Sequence, residues 1–368
     1  MTESSHRLVH ADASDLSFLP DSSVALVVTS PPYPMIEMWD EIFSAGSPSI
    51  RHALSEADGP SAWRLMHDKL DRVWSECFRV LRPGGWACIN IGDATRTLNG
   101  RFQLFPNHAR IINACGGMGF DILPAVLWRK QTNAPNKFMG SGMLPGGAYV
   151  TLEHEYILIM RKDGKRRVDA AEEKRVRRES AYFWEERNRW FSDTWDFKGA
   201  RQDPGRPELR ARSAAFPFEL PFRLISMYSS RGDLVLDPFV GTGTTLLAAM
   251  AAGRNSIGVD VDEALLTAFR EDALRARDFL TAVIRERLSA HLRFVRDYTA
   301  KGGRLAHENR RHGFPVMTEQ ESDLLIQGVE EISARGDGAL AVAYGDLRTG
   351  DEGTQRALPD EEDAPPRE

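Results

Sequence analysis

The chain predicts an α/β fold: a three-layer domain on a mostly parallel sheet. Three stretches carry that expectation. Val24–Val28 is a short apolar run of buried-strand type, and it runs straight into Thr29-Ser30-Pro31-Pro32-Tyr33. Asp233–Asp237 is a second such run. It leads into Pro238-Phe239-Val240-Gly241-Thr242-Gly243-Thr244-Thr245, a helical apolar pattern to Ala252, Gly253, and a third strand, Ser256–Asp260. Strand, glycine turn, helix, strand and terminal acid make a mononucleotide-binding half. Third, residues 61–82 place Trp63, Met66, Leu70, Val73, Trp74, Phe78 and Leu81 at helical spacing. Arg82-Pro83-Gly84-Gly85 stops that helix, and Trp86–Ile91 follows as a strand.

In chain order, residues 7–12 form a short strand ending on Asp12. Residues 34–60, with Met35, Ile36, Met38, Trp39 and Phe43, read as an irregular segment that closes over the site or covers the sheet edge. Residues 94–107 read as a polar loop, 108–118 as a helix and Ile122–Trp128 as a strand. His154–Met160 is a strand that completes the sheet as a hairpin, and His154 and Glu155 read as structural. Residues 163–212 interleave Arg175, Arg177, Arg178, Arg187, Arg189 and Arg201 with Tyr182, Phe183, Trp184, Trp190, Phe191, Trp195 and Phe197. The aromatics read as the core of this insertion and the arginines as its contact surface. Phe222–Ser229 is helical. Beyond Asp262 the pattern stays helical to about Ala300, and a smaller apolar segment, Leu324–Tyr344, precedes the tail.

The chemistry concentrates in two turns. Two prolines after Ser30 fix φ and remove two backbone donors, so the carbonyls of Ser30 and Pro31 are free to accept hydrogen bonds. Tyr33 can lie flat against a planar group. An acceptor beside an aromatic face is what holds an aromatic amine. In the other turn, glycines let the backbone approach a ligand, and Asp260, 19 residues after Gly241, can hold ribose hydroxyls. The third glycine of the dinucleotide fingerprint is missing, and no Gly-Lys-Ser/Thr phosphate loop is present.

The net charge of −6 is uneven. Residues 345–368 carry −5 and read as a disordered acidic tail, whereas residues 161–212 carry +5, compatible with phosphate contacts. Cys77, Cys88 and Cys115 have no metal-ligand spacing and read as buried apolar residues, so no metal is expected. No apolar run approaches a membrane span and no basic-plus-apolar leader is visible, so the expected compartment is the cytoplasm, with no membrane partner.

Together, TSPPY and DPFVGTGTT resemble the DNA amino-methyltransferases that act on exocyclic amines, in the motif order of the beta class, over roughly residues 7 to 265. Leu81-Arg-Pro-Gly-Gly85 before a strand matches that family too. The resemblance implies a Rossmann-like methyltransferase fold with permuted motif order, S-adenosyl-L-methionine as cofactor and double-stranded DNA as partner. It divides the chain into a catalytic half (1–162), a target-recognition insertion (163–212), a cofactor half (213–262), a helical extension (263–344) and the tail (345–368). It assigns Ser30, Pro31, Pro32 and Tyr33 to catalysis. It assigns Asp12, Phe216, Pro217, Asp237, Pro238, Phe239, Gly241, Gly243, Thr244 and Asp260 to the cofactor. Trp128 and Lys130, in Trp128-Arg-Lys130 before Asn133-Ala-Pro135, complete a target-base pocket, with Arg175, Arg177, Arg178, Arg187, Arg189 and Arg201 on DNA.

Serine before the two prolines goes mainly with N4-methylation of cytosine in that family, so a site-specific cytosine-N4 enzyme of a restriction–modification system is expected. N6-methylation of adenine is the alternative. Methylation of RNA or protein amide nitrogen, and a DNA-binding module with a dead site, are weaker ones. A homodimer and a cognate endonuclease stay open as further partners. The carbon-5 mechanism, which uses a Pro-Cys nucleophile, is excluded, because the three cysteines follow Glu76, Ala87 and Ala114.

Overall fold

The computed structural model describes residues 3–130, 139–140, 144–199, 216–336 and 338–347. Its main sheet contains β1 (Glu3–His10), β2 (Val24–Thr29), β3 (Leu81–Ile91), β4 (Phe120–Arg129), β5 (His154–Lys162), β6 (Thr194–Asp196), β7 (Leu234–Asp237), β8 (Asn255–Asp260), β9 (Gln327–Ala334) and β10 (Leu340–Asp346). The spatial order is β6-β4-β5-β3-β2-β7-β8-β1-β10-β9. Among these strands, β5 and β10 run against the rest. The mostly parallel sheet expected from the apolar runs is therefore present.

Helices cover both faces, because alternate strand residues point to opposite sides. Leu26, Val28 and Val235 belong to one buried cluster. Val27, Leu236 and Ile89 belong to the other. The second cluster is closed by α1 (Asp40–Ser44), α2 (Pro48–Ser55), α3 (Gly59–Val80) and α4 (Asn107–Met118). Asp58 starts α3 by accepting a hydrogen bond from Ser61 N, and Pro60 in the first turn costs no needed donor. The first cluster is closed by α6 (Trp184–Trp190), α7 (Glu219–Tyr228), α8 (Thr244–Ala252), α9 (Glu263–Ala273) and α10 (Arg277–Ala300), while α5 (Ala171–Glu179) contributes no side chain to it. Helix α8 is apolar all round because it is buried on nearly every side.

Four expectations change. Residues 34–60, expected as an irregular segment, carry two short helices, α1 and α2, which bury Phe43, Ile50 and Ala53. Residues 94–107 are a β-hairpin, Ala94–Leu98 with Arg101–Phe105. Its turn, Asn99-Gly100, takes positive φ at both residues, +48° and +74°, the geometry that this dipeptide favours. The extension 263–344 is helical only to Ala300. Residues 327–346 fold as the β9–β10 hairpin and continue the sheet. The run Leu340–Tyr344 is too short to declare helix or strand by periodicity, and tertiary pairing decides it: Leu340–Ala343 pair with Glu3–His6, which would otherwise be an open edge. Gly345 and Asp346, expected in the tail, belong to that strand; residues 348–368 lie outside the described residues. The long helix α10 buries Leu280, Ile284 and His291 and hydrogen-bonds β9 through Thr281 and Val329.

In residues 163–199, Phe183, Trp190 and Trp195 are buried as expected, but they merge with the main core instead of forming one of their own. Cys77, Cys88 and Cys115 are buried free thiols. Among the described residues, no helix is long and apolar enough to cross a membrane.

Candidate active site

From β2 the chain crosses through α3 to β3 on one side; from β7 it crosses through α8 to β8 on the other. The reversal between adjacent strands opens a crevice at their carboxyl ends. Both sequence motifs lie there. Thr29 Oγ1 donates to Asp237 Oδ1 at 2.6 Å, across 208 residues of sequence. Thr245 Oγ1 donates to Asp237 Oδ2 at 2.5 Å and Phe239 N donates to Oδ1 at 3.1 Å. One buried carboxylate thus fastens the two turns together. Burial pushes its carboxyl up to about 6, against the hydrogen bonds that hold it down.

A cavity of about 600 Å³ opens above this clamp, a size typical of small-molecule sites. Asp12, Ser30, Pro31, Pro32, Tyr33, Phe216, Asp237, Pro238, Phe239, Gly241, Thr244 and Asp260 line it. Met38, Trp39, Ile42 and Phe43 line it as well, so part of the 34–60 segment covers the site.

On the glycine side, Asp260 Oδ2 accepts from Gly241 N and Oδ1 from Asp262 N, each at 2.9 Å. A carboxylate has further lone pairs to offer a ligand. Burial raises its carboxyl above the ordinary range. Asp12 accepts from Ser14 N at 2.8 Å. Gly243 does different work from the one expected. Its φ is +81°, and a Cβ there would fall 2.0 Å from Phe269 Cδ2, so it is needed for helix packing. Pro217 does not line the cavity; its carbonyl accepts from Leu220 N at 3.1 Å and starts α7.

On the proline side, Tyr33 Oη donates to Glu155 Oε2 at 2.9 Å and accepts from Asn90 Nδ2 at 2.8 Å. Ser30 Oγ lies 3.1 Å from the same oxygen. Lys130 Nζ pairs with Glu155 Oε1 and sits 4.8 Å from the centre of the Trp128 ring. Burial, and then the Glu155 charge, hold the Tyr33 hydroxyl well above its ordinary range, so it keeps its proton. Glu155 read as structural in the sequence; the structure places it directly behind Tyr33. The missed signal was topological: β5 is antiparallel to β3, so its first residues arrive at the carboxyl end of β3.

Trp128 is a core residue. It is 1% exposed, and its Nε1 donates to the Phe197 carbonyl at 3.0 Å, so it offers no face to a base. The α5 arginines lie away from the cavity. Glu179 O accepts from Leu325 N, and Ser180 Oγ accepts from Arg231 N, just ahead of β7. That places α5 at the amino ends of the strands, opposite the crevice. Arg175 is paired with Glu172 and Glu179, and Arg178 lies 3.9 Å from Asp323. Arg187 and Arg189 are exposed on α6, which packs on the face of the sheet. Arg201 and Asn133-Ala-Pro135 lie outside the described residues. No cluster of residues fit to hold a metal ion occurs among the described residues.

The DNA methylase family model matches residues 24–271. The chain is 50% identical over 326 residues to the type II methyltransferase M.MthZI of Methanothermobacter thermautotrophicus, covering 88% of this chain and 90% of that one. It is 49% identical over 271 residues to the type II methyltransferase M.MjaI of Methanocaldococcus jannaschii, covering 71% and 88%. Among solved structures, TTHA0409 of Thermus thermophilus, a candidate DNA modification methylase in complex with S-adenosyl-L-methionine, is 36% identical with a TM-score of 0.57, covering 73% of this chain and 95% of that one.

Proposed function

The chain belongs to the family of DNA amino-methyltransferases that modify N6 of adenine or N4 of cytosine, and we propose that this member methylates N4 of cytosine in duplex DNA at a specific site. S-adenosyl-L-methionine is the cofactor, and it supplies an electrophilic methyl group on a sulfonium. The cavity fits that molecule: a carboxylate with free lone pairs at Asp260, a tight backbone turn at Gly241 and a second acid at Asp12. In this reading Asp260 holds the ribose hydroxyls and Asp12 the adenine amine. Phe216 and Pro238–Phe239 form apolar walls.

A paired base hides its amine in the duplex, so the base is flipped out, at a cost of a few kcal/mol. Tyr33 then stacks on it. Ser30 Oγ and the Pro31 carbonyl accept from the amine and aim its nitrogen lone pair at the methyl carbon. Positioning supplies much of the rate. The observation that carries the cytosine assignment is the neutral hydroxyl of Ser30 ahead of the two prolines, serine being the residue associated mainly with N4-cytosine in this family. The type II relatives support a place in a restriction–modification pair, with an endonuclease reading the same site.

Mass spectrometry of nucleosides from DNA methylated with isotopically labelled cofactor tests the assignment. Label in N4-methylcytosine is expected. Label in N6-methyladenine alone overturns the choice of base and keeps the family; label in 5-methylcytosine overturns the direct-displacement mechanism. Ser30→Ala should slow methyl transfer and leave cofactor affinity nearly unchanged, since Ser30 belongs to the acceptor side.

A further inference from the structure

We propose that Glu155 is the terminal proton acceptor of a relay, Ser30–Tyr33–Glu155, that removes the proton set free when the target nitrogen is methylated. The inference rests on the reading above, in which Ser30 meets the amine, and it holds for either base.

The direction of the relay follows from proton counts. Glu155 is 8% exposed, paired with Lys130, and an ionised carboxylate only accepts. Tyr33 therefore donates its single proton to Glu155 Oε2, at 2.9 Å. Asn90 Nδ2 donates to Tyr33 Oη at 2.8 Å and to Glu155 Oε2 at 2.6 Å, which fixes that polarity. The Ser30 hydroxyl, 3.1 Å from Tyr33 Oη, is then the donor of that bond. Its hydrogen is committed inward and its lone pairs face the cavity. An isolated serine could turn its proton either way; this one is held as an acceptor.

The same chain has an outlet. Once the new N–C bond has formed, the nitrogen carries a positive charge and one proton too many. That proton passes to Ser30 Oγ as the serine proton passes to Tyr33 Oη and the tyrosine proton to Glu155 Oε2. Both hydroxyls end protonated but turned back toward the base, the nitrogen ends neutral and Glu155 ends as the neutral acid; loss of the Glu155 proton lets both hydroxyls turn inward again. Tyr33 conducts as a phenol and not as a phenolate, because its hydroxyl is held well above its ordinary range. The Lys130 side chain, 41% exposed, opens the pair to water, where the proton leaves between turnovers. A neutral amide would suffice to orient Tyr33. A nearly buried carboxylate is costly to hold, and proton acceptance gives it a purpose. The titratable groups packed around Glu155 are Lys130, the residue after β4, Tyr33 from the turn and, beyond Tyr156 on its own strand, the Asp93–His108 pair, with His108 stacked on Tyr156 at 3.8 Å.

The test is single-turnover methylation of duplex DNA with labelled S-adenosyl-L-methionine, followed against pH. Glu155→Gln keeps an acceptor for Tyr33 but takes up no proton. It should react about 100-fold more slowly, and it should lose the acid limb of the wild-type pH profile. Cofactor affinity by calorimetry should not change. Tyr33→Phe keeps the ring and cuts the relay in the middle. It should slow the reaction by a similar factor, and the double variant should be no slower than either single one. A Glu155→Gln rate within about threefold of wild type with an unchanged pH profile overturns the relay, as do Glu155→Gln and Tyr33→Phe losses that multiply. Tyr33→Phe decides the matter should Glu155→Gln fail to fold. Wild-type protein that puts no label into DNA overturns the parent reading and the relay with it.

Discussion

Asp237 offers the sharpest test of how the two motif turns are joined. It is 2% exposed and accepts hydrogen bonds from Thr29, Thr245 and Phe239 N. Burial lifts its carboxyl from 3.8 to about 6. That shift favours the protonated folded form by about 3 kcal/mol. Above pH 6 the folded carboxylate is ionised and carries this cost in full. Below about pH 3, a unit under the unfolded value, both states are protonated and the cost is gone. Stability from this group is therefore fullest in acid and declines as the pH rises from 4 to 6. Asp237→Asn is neutral throughout. It keeps one acceptor oxygen where the acid has two, so one threonine loses its acceptor, at about 1 kcal/mol. The variant should be about 1 kcal/mol less stable than wild type at pH 3 and about 2 kcal/mol more stable at pH 7. Denaturant unfolding of both proteins without cofactor, at four pH values, gives the difference, in which all other titrating groups cancel. A difference that does not move with pH would refute the reasoning.

Gly243→Ala should destabilise by at least about 2 kcal/mol, because it forces a Cβ into Phe269 and an L-residue into left-handed backbone; a variant that melts with wild type would refute this. Asp260→Ala should weaken S-adenosyl-L-methionine binding by roughly 2–4 kcal/mol through lost charge-assisted hydrogen bonds, and calorimetry on the folded variant checks it. Arg177→Ala and Arg178→Ala should leave the methylated sequence unchanged, since α5 lies at the amino ends of the strands; sequencing of methylated positions reads the outcome.

What the sequence displays is local, and the parts of the fold it displays are those with strong local signals. Val24–Val28 and Asp233–Asp237 are apolar on both faces because helices cover both faces. Each is followed by a turn whose prolines or glycines admit few conformations. The spacing to Asp260 is equally local. What stays hidden is set by distant pairing. Glu155 acquires its surroundings because β5 returns antiparallel beside β3, and nothing around His154 announces that. Leu340–Ala343 become a strand because Glu3–His6 need a neighbour. The α5 arginines were readable as cations, and their placement below the sheet was not. Asn99-Gly100 is different: its turn chemistry was legible in the dipeptide, and the polar residues around it masked the hairpin.

The position of β1 has a consequence for the timing of folding. Its first partner, β8, exists once Asp260 has been synthesised; its second, β10, only after Ala343. At ordinary translation speeds the interval is roughly 4–17 s. Throughout it, the strand leading to Asp12 is a naked edge. A chain halted in that interval would leave the backbone groups of Glu3–His6 unpaired on that side, open to pairing with another chain.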